Sequence, residues 1–315
     1  MKVVTNESGI GKVKGAVVTL GNFDGLHLGH QKILRKVYSR ANKLARPSLV
    51  YTFEPHPLKV VAPGKSPPII ISLGDKLELL EGFGIGCCVL ARFTKELAQT
   101  HPEEFVREVL VGQLSAREVW VGHDFSFGRG RKGTVRHLKT LGKKFGFKVF
   151  VLPAYRKLGS IVSSSRVRGL IKKGDVEEAG KLLGRYFSLK GKVVRGRDIG
   201  RKLGFPTANL VTPCELIPKD GVYAGFVSFN GKGYQGVINI GRAPTFRRIS
   251  SVIEVHILDF RRSIYGKDIR VSLVKRIRDE VRFKRAEDLA GQIKRDILMA
   301  RKILSRKPAP LRILA

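Results

Sequence analysis

The spacing of apolar residues changes partway along this chain, and that change limits the fold more than any other feature. From Lys14 to about Ala154, short β-branched runs alternate with segments of helical spacing, the pattern of βα units on a parallel sheet. Strands are predicted at Ala16–Leu20, Ser48–Phe53, Cys87–Ala91, Glu118–Val121 and Lys148–Leu152. A helix is predicted over Gln31–Ala45, where Ile33, Leu34, Val37, Tyr38, Ala41, Leu44 and Ala45 recur three and four apart on one face. Glu103–Leu114, opened by Thr100-His101-Pro102, and Val135–Phe145 read as further helices, and Ser165–Lys172 and Val176–Leu183 as short ones.

After Gly184 the helical spacing gives way to closely set strands: Ser188–Val194, Ala208–Thr212, Val222–Phe229, Gly236–Ile240, Glu254–Phe260 and Ile269–Val274. Asn230-Gly231 between two of them is a hairpin turn, because both residues tolerate positive φ. Such a set closes into a small β-barrel. The chain then ends in a helix over Arg285–Leu304, with a packing stripe of Leu289, Ile293, Ile297 and Ala300, and a Pro-containing tail. A length of 315 residues suits two domains, placed at 1–185 and 186–315.

Charge and apolar content bound the function. With 43% hydrophobic residues the chain supports a core, yet no apolar stretch approaches the roughly 20 residues that cross a bilayer. The N-terminal residues are polar and lack a leader's apolar segment, so the expected location is the cytoplasm. Cys87, Cys88 and Cys214 have no metal-binding spacing and read as reduced thiols. The net charge of +34 invites a nucleic-acid partner, but it is spread: 32 basic against 15 acidic residues in 1–185 and 28 against 11 in 186–315 leave +17 in each part. There is no basic arm, zinc finger or aromatic-rich stripe, so nucleic acid is not expected, and an enzyme whose ligands are phosphates accounts for the charge as well. Composition does not indicate the oligomeric state.

Two segments carry chemistry. Leu20-Gly21-Asn22-Phe23-Asp24-Gly25-Leu26-His27-Leu28-Gly29-His30 joins the first predicted strand to the clearest helix, where α/β proteins bind phosphates. Glycines 21, 25 and 29 permit close backbone approach, and His27 and His30, three apart, point the same way and can stabilise a phosphoryl group by charge alone. The pair lacks a third ligand for a metal. In the second half, Gly200-Arg201-Lys202-Leu203-Gly204-Phe205-Pro206-Thr207-Ala208-Asn209 puts Thr207 and Asn209 on one side of a strand start, where a hydroxyl and an amide oxygen suit a Mg²⁺ bridged to ATP phosphates. His256, two residues beyond Glu254 and on the same face of a predicted strand, could orient a neighbour or be packed, and it receives no catalytic role.

These motifs resemble a known family. The Gly-x-Phe-Asp-Gly turn followed by His27-Leu28-Gly29-His30 is similar to the nucleotidyltransferase superfamily. Phe53-Glu54-Pro55-His56-Pro57 and Gly122-His123-Asp124-Phe125-Ser126-Phe127-Gly128 narrow the resemblance to bacterial FAD synthetases, and Ser163-Ser164-Ser165-Arg166-Val167-Arg168 is similar to the superfamily's late motif. Gly204-Phe205-Pro206-Thr207-Ala208-Asn209 resembles the hallmark of riboflavin kinases, continued by Gly221-Val222-Tyr223, Gly241-Arg242-Ala243-Pro244-Thr245-Phe246, Ile253-Glu254-Val255-His256 and Arg278-Asp279-Glu280-Val281-Arg282-Phe283. The order is that of bifunctional prokaryotic riboflavin kinase/FAD synthetases. Two positions depart from it: Ser165 stands where Thr is usual, and His123 where Glu is expected before Asp124.

The resemblance implies an α/β chain with an N-terminal Rossmann-like nucleotidyltransferase domain and a C-terminal small β-barrel riboflavin kinase domain with a terminal helix. It implies phosphorylation of riboflavin by ATP to FMN, then adenylation of FMN to FAD with release of pyrophosphate, and Mg²⁺ with ATP. It places Gly21, Phe23, Asp24, Ser164, Ser165, Arg168, Gly200, Thr207 and Asn209 at ATP, with Thr207 and Asn209 at the metal. His27, His30 and Glu254 take the catalytic roles, and His56, Asp124, Phe127, Tyr223 and Arg278 the flavin.

Overall fold

The computed structural model describes residues 1–5, 15–196, 199–244 and 249–309. Two compact units divide the chain: Met1–Pro68 with Leu73–Ser163, and Ile69–Ser72 with residues 164 onward.

The first unit is built on a six-stranded parallel sheet. Its strands are β1 (Lys2–Val4), β2 (Val17–Leu20), β3 (Ser48–Glu54), β4 (Cys87–Arg92), β5 (Glu118–Gly122) and β6 (Lys148–Leu152), in the order β1-β4-β3-β2-β5-β6. Every residue of β2 is buried, which is why its sequence is a continuous apolar run rather than an alternating one. Helix α1 (Leu28–Lys43) follows it and buries Ile33, Leu34, Val37 and Ala41. The predicted face extended too far: Tyr38 is 42% exposed, and Ala45 lies past the helix with φ 48°. Helix α2 (Leu73–Gly82) precedes β4, and α4 (Val135–Phe145) precedes β6.

Between β4 and β5 the structure departs from expectation. The predicted helix over Glu103–Leu114 is one α-helical turn at Pro102–Phe105 followed by π-helical residues Val106–Gln113, which together are labelled α3 here. Its buried residues Val106, Val109 and Leu110 keep the three-and-four spacing of an α-helix, so apolar spacing does not reveal it. Strand β1 was not anticipated; its three residues pair with Cys87, Cys88 and Val89 and are too few to show a period.

The second unit begins with helices α5 (Ser164–Lys173) and α6 (Val176–Leu183), and α6 packs on the barrel strands that follow. Six antiparallel strands close the barrel: β7 (Phe187–Val194), β8 (Ala208–Val211), β9 (Gly221–Phe229), β10 (Lys232–Pro244), β11 (Ile249–Ile257) and β12 (Asp268–Arg278). Around it the order is β7-β8-β11-β10-β9-β12, and β12 returns to β7. Asn230 and Gly231, with φ of 49° and 72°, form the expected hairpin turn between β9 and β10. The predicted Thr245 and Phe246 lie outside the described residues.

Strand β9 is buried on both faces because helix α7 (Ala286–Leu304) covers its outer side, with Ala300 and Leu304 against Val222, Ala224 and Phe226. One charged residue lies in that covered seam. Asp296 is 3% exposed and accepts hydrogen bonds from Arg278 Nε at 3.0 Å, Arg278 Nη2 at 2.8 Å and Gln292 Nε2 at 2.9 Å. Removing it leaves a half-buried guanidinium without its counter-charge, a large cost relative to the marginal stability of any domain. Asp296→Ala is expected to lower the barrel's stability by about 2 kcal/mol, read as a fall in the midpoint of chemical denaturation.

Burial also governs the thiols. Cys87 and Cys88 are buried at the start of β4, whereas Cys214 is only half-buried. Burial, with the neighbouring Cys87, pushes the Cys88 thiol from 9.0 up to about 12. Because the folded chain holds this proton more tightly than the unfolded one, the linked stability is intact below the ordinary value and is lost as pH rises toward the folded one. In the native protein at pH about 8, a thiol reagent should therefore modify Cys214 well before Cys87 or Cys88, with all three reacting after denaturation.

Candidate active sites

In the first unit the strand order reverses beside β2, whose neighbours are β3 on one side and β5 on the other. The crevice beyond the carboxyl ends of such strands is where open α/β sheets bind ligands. The chain leaves β2 through a turn that uses positive φ at Phe23 (49°), Gly25 (78°) and Leu26 (42°). Burial of the Phe23 and Leu26 side chains holds this otherwise unfavourable backbone in place.

The turn delivers His27 to the cap of α1, where its Nδ1 accepts the His30 N–H at 3.4 Å. The Nδ1 being an acceptor, the ring proton resides on Nε2 in the neutral tautomer. The His27 and His30 rings stack at 3.7 Å with 13° between planes, and Phe23 meets His30 edge-on at 5.3 Å. Gly29 is required here: a Cβ would lie 3.1 Å from His27 Cε1. Gln31 Nε2 donates to the Leu26 carbonyl at 2.9 Å and pins the end of the turn.

Phe23 and Asp24, expected to contact ATP, have buried side chains at 2% and 4% exposure, so the Phe23 ring serves as a support beneath His30. Lys76 of α2 is buried close by. Burial pushes its ammonium below the ordinary value, and the charges of Asp24 and Glu54 oppose that shift.

A cavity of about 670 Å³ opens over the ends of the same strands. Gly21, His56, Asp124 and Phe127 all line it, as predicted residues drawn from three separate motifs. Phe53, Phe93, Phe105 and Phe125 line it too, with Phe53 edge-on to Phe93 at 5.3 Å and Phe125 stacked on Phe127 at 5.6 Å. Arg131 reaches the rim and donates from Nε to Ser126 Oγ at 2.7 Å. An aromatic wall with a cation at the rim suits a planar heteroaromatic ring carrying a phosphate. His123 is exposed, 3.9 Å from the exposed Asp124 carboxylate. Ser164, Ser165 and Arg168 open helix α5 in the other unit, with Ser165 exposed and Arg168 buried.

In the barrel, strand register assembles the second site. Asn209 on β8 pairs with Glu254 on β11, and Glu254 pairs with Asn239 on β10, so the three side chains form one row across three strands. Asn239 Nδ2 donates to Glu254 Oε2 at 3.5 Å. Thr207 stands two residues before Asn209, next to a cavity of about 370 Å³ that it lines with Arg201, Phe260, Arg261 and Tyr265. Two glycines close the approach to this row. A Cβ on Gly200 would lie 3.2 Å from Thr207 Oγ1, and one on Gly196 would clash with the Asn209 amide. Among the described residues no cluster of His, Cys, Asp and Glu forms a metal cage. Hard oxygen donors from Thr207 and Asn209 nevertheless fit Mg²⁺, which takes few protein ligands when phosphates supply the rest.

Tyr223 and Arg278, expected at the flavin, both have partners within the protein. Tyr223 is completely buried and its hydroxyl donates to the Lys219 carbonyl; burial pushes its pKa up. Arg278 is engaged with Asp296. Both side chains hold the barrel together where they stand. Near them, Arg276 and Lys219 hold the Asp279 carboxyl down at about 2. Asn239 was not singled out from sequence; its pairing with Glu254 across a hairpin was the available signal.

The FAD synthetase family matches residues 10–166, and the riboflavin kinase family residues 183–304. Over 298 residues the chain is 38% identical to a bifunctional riboflavin kinase/FMN adenylyltransferase of Escherichia coli (strain K12), covering 94% of this chain and 95% of that protein. The namesake from Pseudomonas fluorescens is 36% identical over 289 residues, 91% of this chain and 93% of the relative. A crystal structure from Streptococcus pneumoniae described as a macrolide-efflux protein superposes with a TM-score of 0.87 at 32% identity, covering 95% of this chain and 98% of that one. No helix among the described residues is long and apolar enough to cross a membrane. With both family matches in order and 38% identity to a bifunctional relative over 94% of the chain, the chain belongs to the bifunctional riboflavin kinase/FMN adenylyltransferase family.

Proposed function

We propose that this chain makes FAD from riboflavin in two steps, with riboflavin kinase activity in 186–315 and FMN adenylyltransferase activity in 1–185. The observation that carries the reading is that one chain holds both a stacked histidine pair at a strand-order reversal and an Asn-Glu-Asn row across three strands of a barrel.

In the first step Glu254 accepts the proton of the ribityl 5′-hydroxyl as that oxygen bonds to the γ-phosphorus of ATP and ADP departs. Asn239 holds the carboxylate from one side. Thr207 and Asn209 would hold a Mg²⁺, which would neutralise charge on the phosphates.

In the second step a phosphate oxygen of FMN attacks the α-phosphorus of ATP, and pyrophosphate leaves with its electron pair. His27 and His30 donate to the phosphoryl oxygens as charge grows there. The tautomer fixed by the His30 N–H leaves the His27 Nε2–H as the donor. Motif order assigns Ser164, Ser165 and Arg168 to the departing pyrophosphate, and His56, Asp124 and Phe127 to the flavin. The spread of positive charge suits phosphate ligands rather than nucleic acid. The proposed location is the cytoplasm, where ATP is available.

Glu254→Gln is expected to lower FMN formation by about 10²-fold or more while conversion of supplied FMN to FAD continues, as read by chromatography of the flavins. His27→Ala is expected to do the reverse. Loss of both activities from either substitution would contradict two separate sites.

A further inference from the structure

We propose that His256 is a positioning residue of the kinase site, fastening the backbone that precedes Thr207; this rests on the assignment of Thr207, Asn209 and Glu254 to that reaction. Strand β8 begins only at Ala208, whose partner on β11 is Val255. The residue before Thr207 is Pro206, which has no N–H and cannot extend the ladder. Sheet hydrogen bonds therefore stop just short of the hydroxyl that has to be placed.

A side chain of the neighbouring strand takes over. The His256 Nδ1 lies 2.8 Å from the Pro206 carbonyl oxygen. That oxygen can only accept, so Nδ1 is the donor. The His256 ring also meets the Phe205 ring edge-on, with centroids 6.0 Å apart. His256 is two residues beyond Glu254 on β11, on the same face. One strand thus carries both the base and the clamp that sets Thr207 relative to it.

The clamp explains a histidine that the transfer chemistry itself does not require. It acts through backbone position, so its loss should fall on the use of ATP and Mg²⁺ rather than on the flavin. The carbonyl is reached through Nδ1, and this makes the role separable from packing. An asparagine places its amide nitrogen near the Nδ1 position, whereas a glutamine extends its nitrogen to the Nε2 position.

The test measures riboflavin phosphorylation by the full-length enzyme, with adenylation of supplied FMN as an internal check that the chain is folded. His256→Ala and His256→Gln are expected to raise the KM for Mg-ATP about three- to tenfold, the range of one hydrogen bond, with the KM for riboflavin changed less than about twofold. His256→Asn is expected to restore the KM for Mg-ATP to within about twofold of the parent. Equal KM values for Mg-ATP in all variants, equal losses in Asn and Gln, or a loss confined to riboflavin would each overturn the proposal. Glu254→Gln run in parallel separates the two levels: if it still forms FMN at the parental rate, the assignment of the site is at fault rather than the clamp.

Discussion

The barrel site depends on strand register. Side chains alternate with a period of two, so a slip of one residue between β8 and β11 would turn Asn209 away from Glu254 and bring an aliphatic neighbour into its place. The pairing of Ala208 with Val255 and Leu210 with Ile253 prevents this, because those four side chains are buried and their apolar surface would be exposed by the slip. Hydrophobic burial on one face thus sets polar geometry on the other. Closure of the sheet extends the same restraint around the barrel, since β7 to β12 each have two partners and no edge is left on which to slide.

In the parallel sheet the restraint is of a different kind. Four buried residues of β2 fix where the strand ends, and Phe23 and Leu26 are packed into a turn with reversed φ. The helix that follows must then start at His27, and its first turn brings His30 onto the His27 ring. A loop whose conformation was held only by solvent-exposed residues would not keep two imidazoles face to face. The cost of the strained backbone is met by burial, which is common where a chain must present functional groups.

Much of this could be read from the sequence, for physical reasons. The five longer strands of the sheet and the six of the barrel appear as apolar runs, and Thr207 and Asn209 could be put on one face because two-residue spacing fixes it, whereas Glu254 is named by the family resemblance. What sequence could not convey was partnership across strands. Asn239 and His256 acquire meaning only from register and from the missing N–H of Pro206. Nor could the sequence show that Tyr223 and Arg278 have partners within the fold, the carbonyl of Lys219 and the carboxylate of Asp296. The π-helical turn in α3 escaped because its buried residues keep the three-and-four spacing of an α-helix.

The central claim is that one polypeptide carries separate nucleotide sites for two different attacks on ATP. Equilibrium binding of a non-hydrolysable ATP analogue with Mg²⁺ tests it most directly. The account predicts two nucleotides bound per chain, falling to one when Asn209 is replaced by Leu, with the remaining site sensitive to His27→Ala. A single nucleotide per chain in the unsubstituted protein, or one substitution emptying both sites, would contradict it.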